Sequence, residues 1–262
     1  MKRYTLLILT VLMLAPLLPF AEPTDELNNT TNPSLSSGQY TVILYSDDKI
    51  VNLSSGYSHI CGILDNGSVS CWGGGGNGQL GNGGTGWHLS PTLTGSLGTG
   101  RTAVALSSGG YHTCAILDNG SVSCWGWNKY GQLGDGTSGS AADKYTPTQT
   151  SSLGANRTAV AISSGTYHTC VILDTGDVSC WGYGSYGKLG NGATSDKTTP
   201  TLTSSLGAGR TAVALSSGNY HTCAILDNGS VSCWGANFYG LLGNGGTSNQ
   251  NTPTLTSSLG AG

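Results

Sequence analysis

The chain has 262 residues, of which 43 are glycine and 9% are charged, and its formal net charge is -3. Beyond Lys2-Arg3 it carries no run of basic residues, so it lacks the stripe that neutralises phosphates, and no nucleic-acid partner is expected. Abundant glycine among Ser, Thr and Asn predicts short strands and tight turns in place of long helices.

The first element is an apolar run from Leu6 to Phe20, set behind Lys2 and Arg3 and broken by Pro16 and Pro19. Its positive start and short length read as a signal peptide over residues 1–21, which leaves no membrane span once removed. Ala21 is the expected cut, although Pro19 fits a cleavage site poorly, and an uncleaved N-terminal anchor is the alternative. Residues 22–39 are polar and rich in Asn and Thr, and read as a linker. The eight cysteines recur in pairs, which argues for an oxidising, secreted or extracytoplasmic location.

From residue 40 to 262 the sequence is organised as repeats. Cys61, Cys114, Cys170 and Cys223 are 53, 56 and 53 residues apart. A period in this range means a propeller or a solenoid. First cysteine to tryptophan is always 11 residues, as in Cys114 to Trp125, and proline to the next first cysteine is always 23, as in Pro147 to Cys170. Only the stretch from tryptophan to proline changes length, so it is a loop.

Each copy divides into four strands: A of the AVALSS type, B of the HTCAIL type, C of the SVSCW type and D of the TPTLT type. B and C alternate polar and apolar residues, as half-buried strands do. Asp118-Asn119-Gly120 joins B to C, and glycine supplies the left-handed conformation of a three-residue hairpin loop. That loop sets Leu117 against Ser121 and so places Cys114 opposite Cys124. Four intra-blade disulfides follow: Cys61–Cys71, Cys114–Cys124, Cys170–Cys180 and Cys223–Cys233. Zinc sites use tighter cysteine spacings, so no metal is expected. Proline in strand D removes a backbone donor, which suits an outer edge strand. The fold class is therefore all-β, a β-propeller with four four-stranded blades.

The run from His112 to Gly126, His-x-Cys-x-x-Leu-Asp-x-Gly-x-Val-x-Cys-Trp-Gly, followed by Tyr130-Gly131-Gln132-Leu133-Gly134, resembles the RCC1 (regulator of chromosome condensation) repeat. The third copy has Lys188 in place of the glutamine and the fourth has Leu241; the first has Gly78 where the others have Tyr-Gly. The resemblance implies a seven-bladed propeller. With four copies and a stop at Leu259-Gly260-Ala261-Gly262, where earlier copies run into Arg-Thr-Ala-Val, the chain looks like a fragment. An open arc of four blades is expected to self-associate through its edges. The family includes a chromatin-bound exchange factor for a small GTPase and a secreted β-lactamase inhibitor. The secretion signal and the cysteines make the secreted kind the nearer analogue. A guanine-nucleotide exchange factor is the alternative reading.

No nucleophile elbow, phosphate loop or carboxylate pair stands out, so neither enzyme activity nor a cofactor is expected. His59, His112, His168 and His221 occupy one repeat-equivalent position, and a structural hydrogen bond within each blade is expected of them. Asp65, Asp118, Asp174 and Asp227 lie in the B–C turns, where Asp caps its own backbone. Asn66, Asn119 and Asn228 each begin an Asn-Gly-Ser sequon, which hairpin chemistry already explains. The A–B turns and C–D loops share one face of a blade. That face is aromatic: Tyr57, Tyr111, Tyr167 and Tyr220 in the A–B turns, and Trp87, Trp127, Tyr130, Tyr145, Tyr183, Tyr186, Phe238 and Tyr239 in the C–D loops. Tyr130, Tyr186 and Tyr239 precede a repeat glycine and read as shared packing. Tyr111, Tyr167, Tyr220, Trp87, Trp127, Tyr145, Tyr183 and Phe238 are the candidate contacts to a protein or glycan partner, with weak salt dependence.

Overall fold

The structure, a computed structural model, describes residues 49–260. The expected signal peptide, linker and first repeat residues up to 48 lie outside that range. The described chain forms sixteen strands. Blade 1 holds β1 (Ile50–Ser55), β2 (His59–Leu64), β3 (Val69–Gly73) and β4 (His88–Leu93). Blade 2 holds β5 (Ala103–Ser108), β6 (His112–Leu117), β7 (Val122–Gly126) and β8 (Lys144–Gln149). Blade 3 holds β9 (Ala159–Ser164), β10 (His168–Leu173), β11 (Val178–Gly182) and β12 (Lys197–Leu202). Blade 4 holds β13 (Ala212–Ser217), β14 (His221–Leu226), β15 (Val231–Gly235) and β16 (Gln250–Leu255). Each blade is a separate antiparallel sheet in simple A-B-C-D order.

The hairpin chemistry sets the register. The Leu117 N–H donates to the Ser121 carbonyl and the Gly120 N–H to the Leu117 carbonyl, both at 2.8 Å. Gly120 has φ 76°, the left-handed region that glycine enters without strain. The three-residue loop then pairs Cys114 with Cys124 across the ladder, and all four expected disulfides form. In strand D the pairing slips between Cys124 and Gly126, whose partners are Thr148 and Lys144. Pro147 falls inside that bulge, so its missing N–H costs no ladder bond.

Strands B and C depart from the half-buried expectation. In blades 2 and 3 every residue of β6, β7, β10 and β11 is buried. Each sheet packs against a neighbour on both sides, so the polar face of the alternation is covered as well. The core accordingly lies between blades. Ile63, Val69 and Leu80 of blade 1 meet Leu106, Leu117 and Trp125 of blade 2, and the same contact repeats at the next two junctions. Trp125 is fully buried, and its indole N–H donates to the Gln79 carbonyl of the preceding blade at 3.0 Å. Trp181 does the same to Gln132 at 2.9 Å.

Three of the four repeat histidines, His59, His112 and His168, join blades and do not bond within them, which corrects the sequence expectation. Nε2 of His59, His112 and His168 lies 2.8 Å from Oγ1 of Thr113, Thr169 and Thr222 in the following blade. Each threonine hydroxyl gives its proton to a backbone carbonyl, Gln79, Gln132 or Lys188. Nε2–H must therefore be the donor, which leaves Nδ1 unprotonated, buried and without a partner. Burial holds these imidazoles neutral, with His59 lowered to about 4 and His112 to about 3.

The turn glycines make room for those rings. A Cβ on Gly109 would sit 2.3 Å from Cε1 of His112 and 2.5 Å from the Gly165 carbonyl of the next blade. Neither the buried ring nor the backbone can retreat without parting two blades. Gly109→Ala should cost about 3 kcal/mol, the upper range for overpacking, read as a lower urea midpoint. An unchanged midpoint would show that the junction is looser than its distances.

The terminal faces of the row are apolar. Leu53, the equivalent of buried Leu106, is 57% exposed because no described blade precedes it. Ile225, the equivalent of buried Ile116 and Ile172, is exposed in blade 4.

Candidate partner-binding face

The A–B turns and C–D loops meet on one face because backbone bonds tie them together. The Trp127 N–H donates to the Tyr111 carbonyl at 3.0 Å, and the Tyr183 N–H to the Tyr167 carbonyl at 2.9 Å. The end of strand C is thereby pinned to the A–B turn of its own blade. Beyond it, the buried Asn128 organises the C–D loop of blade 2. Its Nδ2 donates to Oδ1 of Asp135 at 3.2 Å and to the Thr137 carbonyl at 3.1 Å, and its Oδ1 accepts from the Leu133 N–H. Asn237 repeats the arrangement in blade 4 with Asn244, Gly246 and Leu242.

The aromatic side chains gather into two clusters. In the first, Tyr111 lies 5.9 Å from both Tyr57 and Tyr167, stacked on the latter at 13°. Trp127 stands edge-on to both Tyr111 and Tyr167, at 5.6 and 5.5 Å. Tyr130 adjoins Trp127 at 5.6 Å and Tyr183 at 4.4 Å. In the second cluster Tyr186 contacts Phe238 at 5.1 Å and Tyr220 at 5.7 Å. Edge-to-face contacts of this kind favour a fixed arrangement of rings.

Lys188 lies between the clusters. Its Nζ is 4.3 Å from the Tyr183 ring centroid and 5.0 Å from that of Tyr220. The side chain is fully buried and Nζ has no hydrogen-bond partner. Burial pushes its pKa down to about 8, with Asp196 acting in the opposite sense. Burial among Tyr111 and Tyr130 also raises Tyr167, so its phenol stays a donor. The sequence flagged Lys188 only as a departure from glutamine; its isolation among tyrosines needed the fold.

Six of the eight candidate contacts fall in these clusters: Tyr111, Tyr167, Trp127 and Tyr183 in the first, Tyr220 and Phe238 in the second. Trp87 is 81% exposed and belongs to neither cluster. Tyr145 is not in a C–D loop. It lies in β8 on the outer edge, where a Cβ on Gly78 of the preceding blade would come within 2.4 Å of its ring. Its carbonyl accepts the Gly83 N–H at 2.8 Å, so it is a junction residue between blades. Tyr57 and Tyr130, left out of the candidates, belong to the first cluster.

The opposite face carries the B–C turns. There Asn119 caps the turn, its Oδ1 accepting the Ser121 N–H at 3.1 Å. Asp118 instead faces strand A, 3.3 Å from the Arg101 guanidinium and accepting the Thr102 N–H at 3.3 Å. Asp174 and Asp227 pair with Arg157 and Arg210 in the same way. These pairs are about one-third exposed and contribute little to stability. Among the described residues no three His, Cys, Asp or Glu side chains come close enough to hold a metal. No described helix is long and apolar enough to cross a membrane.

Comparison with known families matches the regulator of chromosome condensation (RCC1) repeat at residues 66–116, 119–172, 175–225 and 228–261. The chain belongs to the RCC1 repeat family. The RCC1 repeats here are 30% identical over 205 residues to the ultraviolet-B receptor UVR8 of Arabidopsis thaliana, covering 78% of this chain and 45% of the receptor. They are 34% identical over 210 residues to the human probable E3 ubiquitin-protein ligase HERC4, covering 79% of this chain and 19% of that protein. The chain thus spans less than half the length of these relatives. Among solved structures, yeast RCC1 (Prp20) bound to Kap60 superposes with a TM-score of 0.70 at 21% identity, over 84% of this chain and 51% of that one. Human WBSCR16 gives 0.71 at 24% identity, over 85% and 56%. Both share the RCC1 propeller fold.

Proposed function

We propose that the chain is a secreted or cell-surface β-propeller scaffold that binds a protein or glycan partner through its aromatic A–B and C–D face, with residues 1–21 as signal peptide and 22–39 as linker. The continuous cluster from Tyr57 through Tyr111, Trp127, Tyr167 and Tyr130 to Tyr183 carries this reading. Rings held by their neighbours lose little freedom on binding and offer large contact area. Four disulfides support an oxidising location. Yeast RCC1, which shares this fold, is seen in complex with Kap60, and a protein partner for this chain is in keeping with that. The exchange-factor alternative rests on the family resemblance alone.

The test is capture from conditioned medium by the full secreted chain, wild type against variants. Trp127→Ala and Tyr183→Ala should keep the fold and each weaken binding by about 30-fold, the effect of losing a 2 kcal/mol anchor. Asn119→Ala and Asn228→Ala, on the opposite face, should bind as wild type. Loss of the partner in the turn variants with retention in the ring variants would place the working face on the other side.

A further inference from the structure

Lys188 is the residue on this face whose chemistry aromatic contact does not use. Gln79, Gln132 and Leu241 hold its position in the other copies. The two glutamines accept a backbone N–H through Oε1, from Asn77 and Tyr130. Lysine has no acceptor to offer that turn. Its side chain runs instead into a box of Tyr183, Tyr186 and Tyr220, with Nζ 4.3, 5.9 and 5.0 Å from the three ring centroids. Ring faces recover only part of what a buried ammonium loses in leaving water. Asp196, the carboxylate that acts on it, is already engaged by the Gly184 N–H at 2.9 Å. The other titratable group against it, His168, is buried and neutral.

Nothing around Nζ takes a hydrogen bond from it either. Among the described residues no tyrosine hydroxyl of either cluster donates to a protein group, and neither Lys188 nor Lys129 belongs to an ion pair. Lys129 Nζ lies 5.6 Å from the Tyr130 ring, which adds a second cation to the same face. Phenol donors and two cations complement an anion. The rings also spend their faces on one another, Tyr111 on Tyr167 and Trp127 against both. A sugar stacks on an open ring face, whereas a carboxylate on a peptide needs only donors and charge.

We propose that Lys188, in its box of Tyr183, Tyr186 and Tyr220, is the recognition site for an acidic side chain of a protein partner. This rests on the partner-binding reading of the face and names the chemistry of its partner. Nζ is closed off from solvent in this state, so entry of the carboxylate requires Tyr186, which is 38% exposed and sits at φ 63° in the one-turn segment Ser185–Gly187, to swing aside. It adds one charged contact to a face whose binding was otherwise expected to respond little to salt.

The experiment measures anisotropy of fluorescein-labelled hexaglutamate and hexaglutamine peptides on the full secreted chain. Hexaglutamate should bind, more weakly as salt rises, and hexaglutamine should bind far less. Lys188→Gln, the residue found in blades 1 and 2, and Lys188→Met should both keep the wild-type near-ultraviolet spectrum. Each should lose at least about tenfold in hexaglutamate affinity, as expected when a charged hydrogen bond is removed. No binding of hexaglutamate, or equal binding by Lys188→Gln, overturns the proposal. Tighter binding of an oligogalacturonate than of hexaglutamate overturns the polypeptide assignment. If the two peptides bind equally and Trp127→Ala abolishes both, the aromatic face stands and the carboxylate site falls. If Trp127→Ala and Tyr183→Ala leave capture of the native partner unchanged, the face itself is wrong.

Discussion

Reduction of the four disulfides is expected to unfold the blades at room temperature. Each bridge spans a sequence separation of 10 and closes one B–C hairpin. In the chain-entropy account such a loop stabilises by about 2.8 kcal/mol. The four loops do not overlap, so their effects add to about 11 kcal/mol. A domain of this kind is stable by about 5–15 kcal/mol in all, so little would remain. Seven of the eight cysteines are buried and Cys223 is half-buried, and reduction has to be carried out in urea, with the denaturant then removed under reductant. Far-ultraviolet circular dichroism should show loss of the strand signal, while the oxidised control refolds. Removing a single bridge, as in Cys114→Ser with Cys124→Ser, should lower stability by about 3 kcal/mol and leave the fold standing. Refolding of the fully reduced chain to the oxidised midpoint would mean that the inter-blade cores suffice alone.

Mild acid should be the second strong destabiliser. His59 and His112 have folded pKa values near 4 and 3 because burial disfavours the cation, and His168 is lowered well below its ordinary value for the same reason. In the unfolded chain each titrates near about 6.5. Above that pH neither state binds the proton, and the full stability is present. As pH falls below it the unfolded state takes up protons that the folded state refuses, so stability is lost progressively toward the folded values. By about pH 5 His59 and His112 should each have removed about 2 kcal/mol, with His168 and His221 acting in the same direction. Urea midpoints should therefore be flat above neutrality and drop steeply between about pH 6.5 and 5. His112→Gln should reduce the loss at about pH 5 by about 2 kcal/mol, since it removes one such group. A midpoint that holds steady across this range would mean that the imidazoles titrate in place.

The two predictions draw on different levels of the structure. The disulfide pairing was legible in the chain because it is local. A three-residue loop with glycine at its left-handed position leaves one register, and in that register Cys114 faces Cys124. The repeat count, the four strands of each blade, the variable C–D loop and the proline at the outer strand follow from short-range rules in the same way. The aromatic face was also legible in outline, since strand order alone puts the A–B turns and C–D loops at one end.

What the tertiary structure decided lies in contacts between segments that are not neighbours in the chain, most of them between blades. His112 reaches Thr169 across 57 positions, and no pattern inside one repeat distinguishes that bond from one within the blade. Full burial of strands B and C arises because each sheet is covered on both sides, whereas alternation by itself speaks of one covered side. Asp118 serves Arg101 and Thr102 because strand A returns beside the turn, and Asn119 takes the capping role that local chemistry would equally grant the aspartate. Tyr145 left the candidate face because a slipped register carried it into an outer strand against Gly78. Lys188 became a buried cation through packing between blades. Only the packing of blade 3 against blade 4 brings Tyr220 over a side chain that the sequence shows as one substitution in a repeated turn.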